Sequence, residues 1–168
     1  MAKKTVTAVF SSRTSSDTAL LRLETAGYTK DQVTILVSKE TQSKHFVIDE
    51  DSKAGEGAIE GAAIGGLSAA LYLALGSVGA LFVPGLNIVV SGALIGALTG
   101  LGAGAVTGGL VGALVGLGVP EHEAKIMEDT VNKGAILIAV ETKDDTSAKK
   151  VMSILKDSAA QSIKSLAA

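Results

Sequence analysis

A stretch without a single charged side chain runs from Gly61 to Pro120, and glycine occupies every fourth position from Gly92 to Gly116, with a shorter run of the same spacing at Gly57, Gly61 and Gly65. All 15 basic and all 17 acidic residues of the 168-residue chain lie outside it. Residues four apart share one face of a helix, so the spacing predicts a helix with a groove that a second backbone can approach closely. This glycine zipper predicts association. The glycines that we predict to form the interface are Gly57, Gly61, Gly65, Gly92, Gly96, Gly100, Gly104, Gly108, Gly112 and Gly116.

The segment Val83-Pro84-Gly85-Leu86-Asn87 breaks the stretch, because proline and glycine together stop a helix and turn the chain. We therefore predict an antiparallel helical hairpin with arms from Gly57 to Phe82 and from Ile88 to Gly118. At about 1.5 Å per residue, each arm exceeds the roughly 30 Å of a bilayer core. Glycine disfavours an aqueous helix by about 1 kcal/mol relative to alanine, so such arms need lipid or a dense assembly around them.

These conditions leave two interpretations open. The first is a hairpin inserted in the cytoplasmic membrane, with the charged flanks in the cytoplasm; the N-terminus has no apolar run typical of a cleavable secretion signal. The second is a soluble assembly that buries the hairpins in a shared core. Glycine and alanine are only weakly hydrophobic, the stretch has no interfacial Trp/Tyr belt, and Glu56 and Glu60 stand at its start without a basic cluster.

The flanks have the composition of a folded domain. Alternation and β-branched residues predict strands, and apolar positions three and four apart predict helices. Before the stretch we first predict a strand Lys4–Phe10, with Val6, Ala8 and Phe10 on one face. A helix follows, which Ser15, Ser16 or Asp17 caps and Gly27 stops, and its apolar residues are Ala19, Leu20, Leu23 and Ala26. We then predict a strand Val33–Ser38, with Val33, Ile35 and Val37 on one face, and a weaker strand His45–Ile48. After it we predict a helix from Pro120 to Gly134 with apolar Ala124, Met127 and Val131, a strand Ala135–Val140 covered on both faces, and a last helix from near Thr146 with a stripe reaching Ile163 and Leu166.

Without the stretch, the first six elements follow the βαββαβ order of a ferredoxin-like sandwich, and an extra helix ends the chain. We therefore predict an α+β fold in which residues 1–54 and 120–168 form the head and residues 55–119 form the inserted hairpin. The insertion falls between the third strand and the second helix. A hairpin leaves and returns on the same side, so it can be inserted there without separating the two halves.

Little in the chain predicts chemistry. A net charge of −2, 3% aromatic residues and no tryptophan argue against nucleic-acid binding, and the absence of cysteine excludes disulfides. His45 and His122 lack the spacing of metal ligands, and the acidic run from Asp49 to Asp51 is typical of a solvated loop. The glycines at 102, 104 and 108 lie inside the apolar register and do not follow a strand, so they predict no nucleotide site. We expect no enzyme activity, no cofactor and no metal, and the sequence identifies no small-molecule ligand.

Three segments carry a resemblance to a known family. They are TVTAVFSSRTSSDTALLRLETAGYTKDQVTILVS at 5–38, KAGEGAIEGAAIGG at 53–66 and GLGVPEHEAKIMEDTVNKGAILIAVE at 116–141. Together with the zipper, they resemble a bacterial family of general-stress proteins described as heat-induced or low-temperature-induced glycine-zipper proteins. The resemblance implies expression under stress and a membrane-associated glycine-zipper hairpin. It implies no catalytic residues.

The sequence as a whole favours a non-enzymatic, stress-associated protein that forms homo-oligomers through its glycine-zipper hairpin. In the membrane interpretation, close packing of hairpins supports the envelope or modulates its permeability. In the alternative interpretation, the protein is a self-assembling shell or scaffold with its hairpins in the inter-subunit core. The head is expected to pair laterally, or to recruit a partner, through an exposed strand edge.

Overall fold

The structure of the chain is a computed structural model, and it describes residues 3–45, 81–83, 88–92, 110–112, 114–116 and 119–167. The elements within these residues are β1 (Lys4–Phe10), α1 (Arg13–Thr25), β2 (Val33–Ser38), α2 (Lys39–His45), β3 (Leu81–Val83), β4 (Ile88–Gly92), α3 (Glu121–Asn132), β5 (Ile136–Thr142), α4 (Asp145–Asp157) and β6 (Gln161–Ala167). Residues 110–112 and 114–116 are also helical. The predicted mixture of helices with a sheet is confirmed.

The strands form one antiparallel sheet of six strands in the order β3-β4-β2-β5-β1-β6. β5 lies in its middle, between β1 and β2. Its apolar run suits this position, since a strand with helices on both sides must present apolar side chains alternately to each face. Ile136 and Ile138 point to one face, and Leu137 and Ala139 point to the other. The predicted strand covered on both faces is confirmed.

Helices α1 and α4, which we call the first layer, cover one face of the sheet. Leu20 and Leu23 of α1 and Val151 and Leu155 of α4 are fully buried. They share a core with strand residues that point to the same face, which are Val6, Ala8, Phe10, Val33, Ile35, Val37, Val89, Ile136, Ile138 and Val140. The predicted inward faces of β1 and β2 are confirmed.

Helix α3 and the helical residues 110–112 and 114–116, which we call the second layer, cover the opposite face. Met127 and Val131 of α3 are buried there, and Leu110 and Leu114 are only 2% and 3% exposed. The strand residues beneath them are Val9, Leu36, Ile88, Val90, Leu137, Ala139 and Leu166. The predicted apolar face of α3 is confirmed. The described part of the chain therefore has three layers, with helices on both faces of the sheet.

Helix ends follow the local sequence. The cap of α1 is Ser12, whose Oγ accepts a hydrogen bond from the Ser15 N–H at 3.2 Å. The prediction of Ser15, Ser16 or Asp17 as the cap is therefore wrong, because the helix begins one turn earlier. Gly27 and Gly134, at φ 93° and 108°, occupy the left-handed positions at which α1 and α3 stop. Both predicted helix stops are confirmed.

The prediction of a helix that ends the chain is wrong beyond α4. The N–H of Ala160 returns to the carbonyl of Leu155, and the chain then runs as β6 along the outer edge of β1. Pairing with β1 provides partners for the backbone groups of this segment, which helps explain why its helical periodicity does not decide its structure. Ile163 packs against the core beneath the first layer, and Leu166 belongs to the core beneath the second layer. The two residues therefore do not form one helical stripe.

Two further predictions concern segments that are only partly described. His45 is the last residue of α2, so a strand does not begin there, and residues 46–48 lie outside the described residues. The predicted helical hairpin is wrong at its tip, because residues 81–83 and 88–92 are the antiparallel strands β3 and β4. β-Branched residues dominate Ile88-Val89-Val90, which favours a strand once β2 offers an edge for pairing. Residues 84–87, which include the predicted turn, lie outside the described residues.

Candidate association surface

The structure includes only part of the predicted interface, namely Gly92, Gly112 and Gly116. The other predicted interface glycines lie outside the described residues, and they are Gly57, Gly61, Gly65, Gly96, Gly100, Gly104 and Gly108. The three glycines that are described fall into two different environments, one in the sheet and one in the second layer.

Gly92 is the last residue of β4 and pairs with Thr34 of β2. Its φ is +116°, a backbone conformation that side-chain-bearing residues rarely adopt. A Cβ at this position would lie 2.1 Å from the carbonyl oxygen of Val33. Glycine is therefore required here by a close approach within the same chain. The prediction that a helical register of glycines begins at Gly92 is wrong.

Gly112 and Gly116 belong to the helical residues of the second layer. Gly112 is half-buried and Gly116 is exposed, whereas Leu110 and Leu114 are buried against the sheet. At 100° per residue, Gly112 lies about 200° around the helix from Leu110, so the two pairs occupy opposite sides. The glycines therefore face away from the core.

Val115 adds an apolar side chain to this outward side and is 42% exposed. Among the described residues, the other large apolar side chains with comparable exposure are Leu21 of α1 at 60% and Ile126 of α3 at 48%. Gly112, Val115 and Gly116, which we call the glycine face, thus combine low relief with an exposed valine. A surface of this kind suits close contact with another backbone.

A charged side chain ties the glycine face to α3. The carboxylate of Glu128, at Oε2, accepts a hydrogen bond from the Val111 N–H at 2.8 Å. The carboxylate is a charged acceptor for this backbone donor, and hydrogen bonds to a charged group are stronger than those between neutral groups. The contact joins residues 17 positions apart and sets the glycine face beside α3. Sequence reasoning missed it, since no local motif relates the two residues.

A second polar contact crosses from α3 to β6. The Lys164 Nζ donates to Glu123 Oε1 at 2.7 Å, and their side chains are 39% and 31% exposed. Lys164 is the register partner of Thr7, which is fully buried. Within the described part of the chain, the Thr7 hydroxyl and Glu123 Oε2 have no hydrogen-bond partner. Buried polar atoms without partners lower the stability of a fold, so the two atoms near this contact should destabilise the core beneath the second layer.

The structure describes only some of the titratable groups that the sequence singled out. His122 is exposed on α3, His45 ends α2, and residues 49–51 lie outside the described residues. No cluster of three metal-ligating side chains occurs in the ranges that the structure describes.

Three pKa values depart from their ordinary range for structural reasons. Hydrogen bonds from Ser147, first of all from its backbone N–H, lower the pKa of Asp144, the cap of α4. The hydrogen bond and the charge of Lys125 lower the pKa of Glu121. Burial, reinforced by the charge of Asp144, raises the pKa of Tyr28. These shifts follow from helix capping, an exposed ion pair and packing.

Comparisons of the chain with protein-family models, curated proteins and solved structures found no match. The resemblance to glycine-zipper stress proteins therefore stays a prediction. Among the described residues, no helix has both the length and the apolar composition needed to cross a lipid bilayer.

Proposed function

We propose that the protein is a non-enzymatic, self-associating protein that forms homo-oligomers through its glycine face. One observation carries the proposal: Leu110 and Leu114 fill the core while Gly112 and Gly116 point outward from the same helical segment. Glycine weakens a helix by about 1 kcal/mol relative to alanine, so two outward glycines cost stability unless another surface uses them. Close packing against a second helix is such a use.

The exposed Val115 supports the same proposal. A glycine groove alone gains dispersion contact, but it offers little apolar area to remove from water. Val115 lies next to Gly116 and supplies some of that area, since it is 42% exposed and the full burial of an exposed valine side chain is worth about 1.5 kcal/mol or more. A second copy of the chain has the same groove and the same valine, so the surface can complement itself across a two-fold axis.

We further propose that β1, α1, β2, β5, α4 and β6 form a ferredoxin-like unit. Their order in the sheet, β6-β1-β5-β2, and the placement of both helices on one face support this assignment. The third strand of the unit is then β5 and its second helix is α4. The insertion lies between the second and third strands, earlier in the topology than the sequence predicted. Its described residues cover the face that such a unit otherwise leaves open.

The placement of β3 and β4 bears on the two interpretations that the sequence left open. A hairpin that crosses a bilayer must carry its tip about 30 Å from the head. The strands on either side of the predicted tip instead pair within the sheet of the head, beside β2. This arrangement favours the self-assembling scaffold over the membrane hairpin. Association with the cytoplasmic membrane and expression under stress stay predictions.

The test is the state of the full-length protein made without detergent. We expect recovery in the soluble fraction as a homogeneous oligomer, with a mass determined by light scattering. Gly116→Leu should shift that mass toward the monomer, because the leucine side chain holds the two backbones apart. Ser153→Leu is the matched control, since Ser153 is exposed on α4 in the first layer and should leave the mass unchanged.

Two outcomes would contradict the proposal. A monomeric wild-type protein at all concentrations would exclude self-association. An oligomer whose mass is the same in wild type and Gly116→Leu would exclude the glycine face as its interface. Recovery only in the membrane fraction would return the membrane interpretation to first place.

A further inference from the structure

The exposed side of α3 carries charges that alternate in sign at every fourth residue. The row is Glu121, Lys125, Asp129 and Lys133. Within the helix these residues pair as neighbours, Glu121 with Lys125 at 2.7 Å and Asp129 with Lys133 at 3.0 Å. All four side chains are more than 60% exposed. Exposed pairs of this type contribute little to stability, so the row has little value to the isolated fold.

An apolar residue and a groove lie beside this row. Ile126 is 48% exposed, which is unusual for a large apolar side chain among the described residues. It lines a shallow groove of about 430 Å³ together with His122, Lys125, Glu128 and Asp129. The groove lies on the outer side of the second layer, and its Glu128 accepts the hydrogen bond from the Val111 N–H. An apolar centre with a charged rim is typical of a protein–protein contact.

We propose that α3 pairs antiparallel with α3 of a second copy of this chain across a two-fold axis near position 127. Reversing the row − + − + gives + − + −, so every charge meets its opposite. Glu121 then faces the partner's Lys133, and Lys125 faces the partner's Asp129. A parallel pairing in register would place like charges together. The charge pattern thus selects both the partner and its direction.

The central contact follows from the same geometry. In this pairing the two Ile126 side chains are separated by only about 3 Å along the helix axis, and packed helices lie about 8–10 Å apart. Each isoleucine therefore covers the other. The ammonium group of a lysine has three donors, so Lys125 can keep Glu121 while it also binds the partner's Asp129. This interface deepens the proposed self-association, but it does not use the glycine face.

Cross-linking tests the contact directly, because the chain has no native cysteine. Ile126→Cys in the full-length protein should form a disulfide-linked dimer under mild oxidation at low salt. Leu21→Cys is the matched control, since Leu21 is even more exposed than Ile126, at 60% against 48%, but lies on α1 in the first layer. Equal yields of dimer from the two variants would overturn the proposal. Purified Ile126→Cys that forms no cross-linked dimer would overturn the proposal as well, and this is the result expected if the groove binds a different macromolecule.

Charge reversal tests the direction of pairing. Lys125→Glu and Asp129→Lys, each added to Ile126→Cys, place like charges across the axis and should lower the dimer yield by about tenfold. An equimolar mixture of the two variants should recover the yield, because a glutamate at 125 then meets a lysine at 129 in the partner and an unchanged lysine meets an unchanged aspartate. Lys149→Glu on α4 is the control for charge alone. Failure of the mixture to recover would overturn the antiparallel pairing.

The proposed glycine-face interface and the proposed α3 contact can be disproved independently of each other. If Gly116→Leu leaves the oligomer unchanged while Ile126→Cys cross-links, the glycine face is wrong and the α3 contact stands. If Gly116→Leu reduces the mass while Ile126→Cys stays monomeric on oxidation, the glycine face stands and the α3 contact is wrong.

Discussion

The two helical layers bury the sheet equally well, yet they present different surfaces to the outside. In the first layer, the buried side chains of α1 and α4 are apolar except for that of Ser16, and the outer sides of both helices are mostly polar. In the second layer, the helices are tied by charged side chains, through Glu128 to Val111 and through Glu123 to Lys164. Its outer side carries two glycines, Val115 and Ile126. Helices α1 and α4 contain no glycine, although Leu21 of α1 is exposed, whereas the second layer carries outward glycines that weaken its helix.

The difference indicates which residues are informative about function within the part of the chain that the structure describes. Both cores are needed for stability, so burial does not distinguish them. Each layer exposes a large apolar side chain, Leu21 or Ile126, so the distinguishing property is the outward glycines, which weaken the helix of the monomer. Residues of this kind are informative because the fold alone gives no reason for them.

The largest expected effect separates the two kinds of glycine. Gly92→Val should lower the free energy of unfolding by about 4 kcal/mol or more, because its Cβ would collide with the Val33 carbonyl at a positive φ. Gly116→Ala should change it by no more than about 1 kcal/mol, and in the stabilising direction, since alanine favours helix. Urea denaturation of both variants provides the comparison. Similar losses would mean that Gly116 is also required by the fold.

The next effect compares the two cores. Leu23→Ala in the first layer and Leu114→Ala in the second should each cost about 2–5 kcal/mol, because both side chains are buried and leave a cavity. Thermal and urea unfolding at matched protein concentration measure both losses. A cost well below 1 kcal/mol for Leu114→Ala alone would show that residues 110–116 do not cover the sheet in solution.

A smaller effect tests the contact between Lys164 and Glu123 and the buried hydroxyl of Thr7 beside it. Lys164→Met leaves Glu123 half-buried without its cation and should cost about 1 kcal/mol. Thr7→Val should be neutral or stabilising by about 1 kcal/mol, since it removes a buried hydroxyl that has no partner in the described part of the chain. Lys149→Met on the exposed side of α4 is the control. A marked loss of stability in Thr7→Val would mean that its hydroxyl is satisfied, for example by an ordered water.

The smallest effect is a pH dependence in the first layer. The pKa of Asp144 is lowered from its ordinary value of 3.8 by hydrogen bonds that exist only in the folded helix cap. Its contribution is therefore present above the unfolded pKa and is lost as the pH falls through the lower folded pKa. Asp144→Asn keeps a capping side chain without the charge. The stability difference between this variant and the wild type should shrink as the pH falls below 3.8, and a constant difference would contradict the assignment.

Much of the head could be predicted because its signals are local. Alternation in β1 and β2, the continuous apolar run of β5 and the left-handed glycines 27 and 134 each act within a few residues. These features depend on backbone sterics and on side-chain burial, and both can be predicted from sequence patterns of a few residues.

The errors arose where a partner distant in the chain decides the structure. The sequence of Gln161–Ala167 predicts the end of a helix, but this segment pairs with the edge of β1 as a strand. The sequence of Ile88–Gly92 likewise predicts a zipper helix, but this segment pairs with β2 as a strand. The contact between Glu128 and Val111 and the alternating row on α3 gain their meaning only from the layer in which they lie. Fourfold glycine spacing predicted a surface for association, but it did not separate Gly92, which serves the sheet, from Gly112 and Gly116.

The most direct test of the account is hydrogen–deuterium exchange of the full-length oligomer beside Gly116→Leu. We expect the amides of residues 110–116 to exchange more slowly in the wild-type oligomer, whereas those of α1 and α4 exchange equally in both proteins. Protection confined to the second layer would agree with association through the glycine face. Equal exchange at residues 110–116 in the two proteins, or a difference confined to α1 and α4, would contradict it.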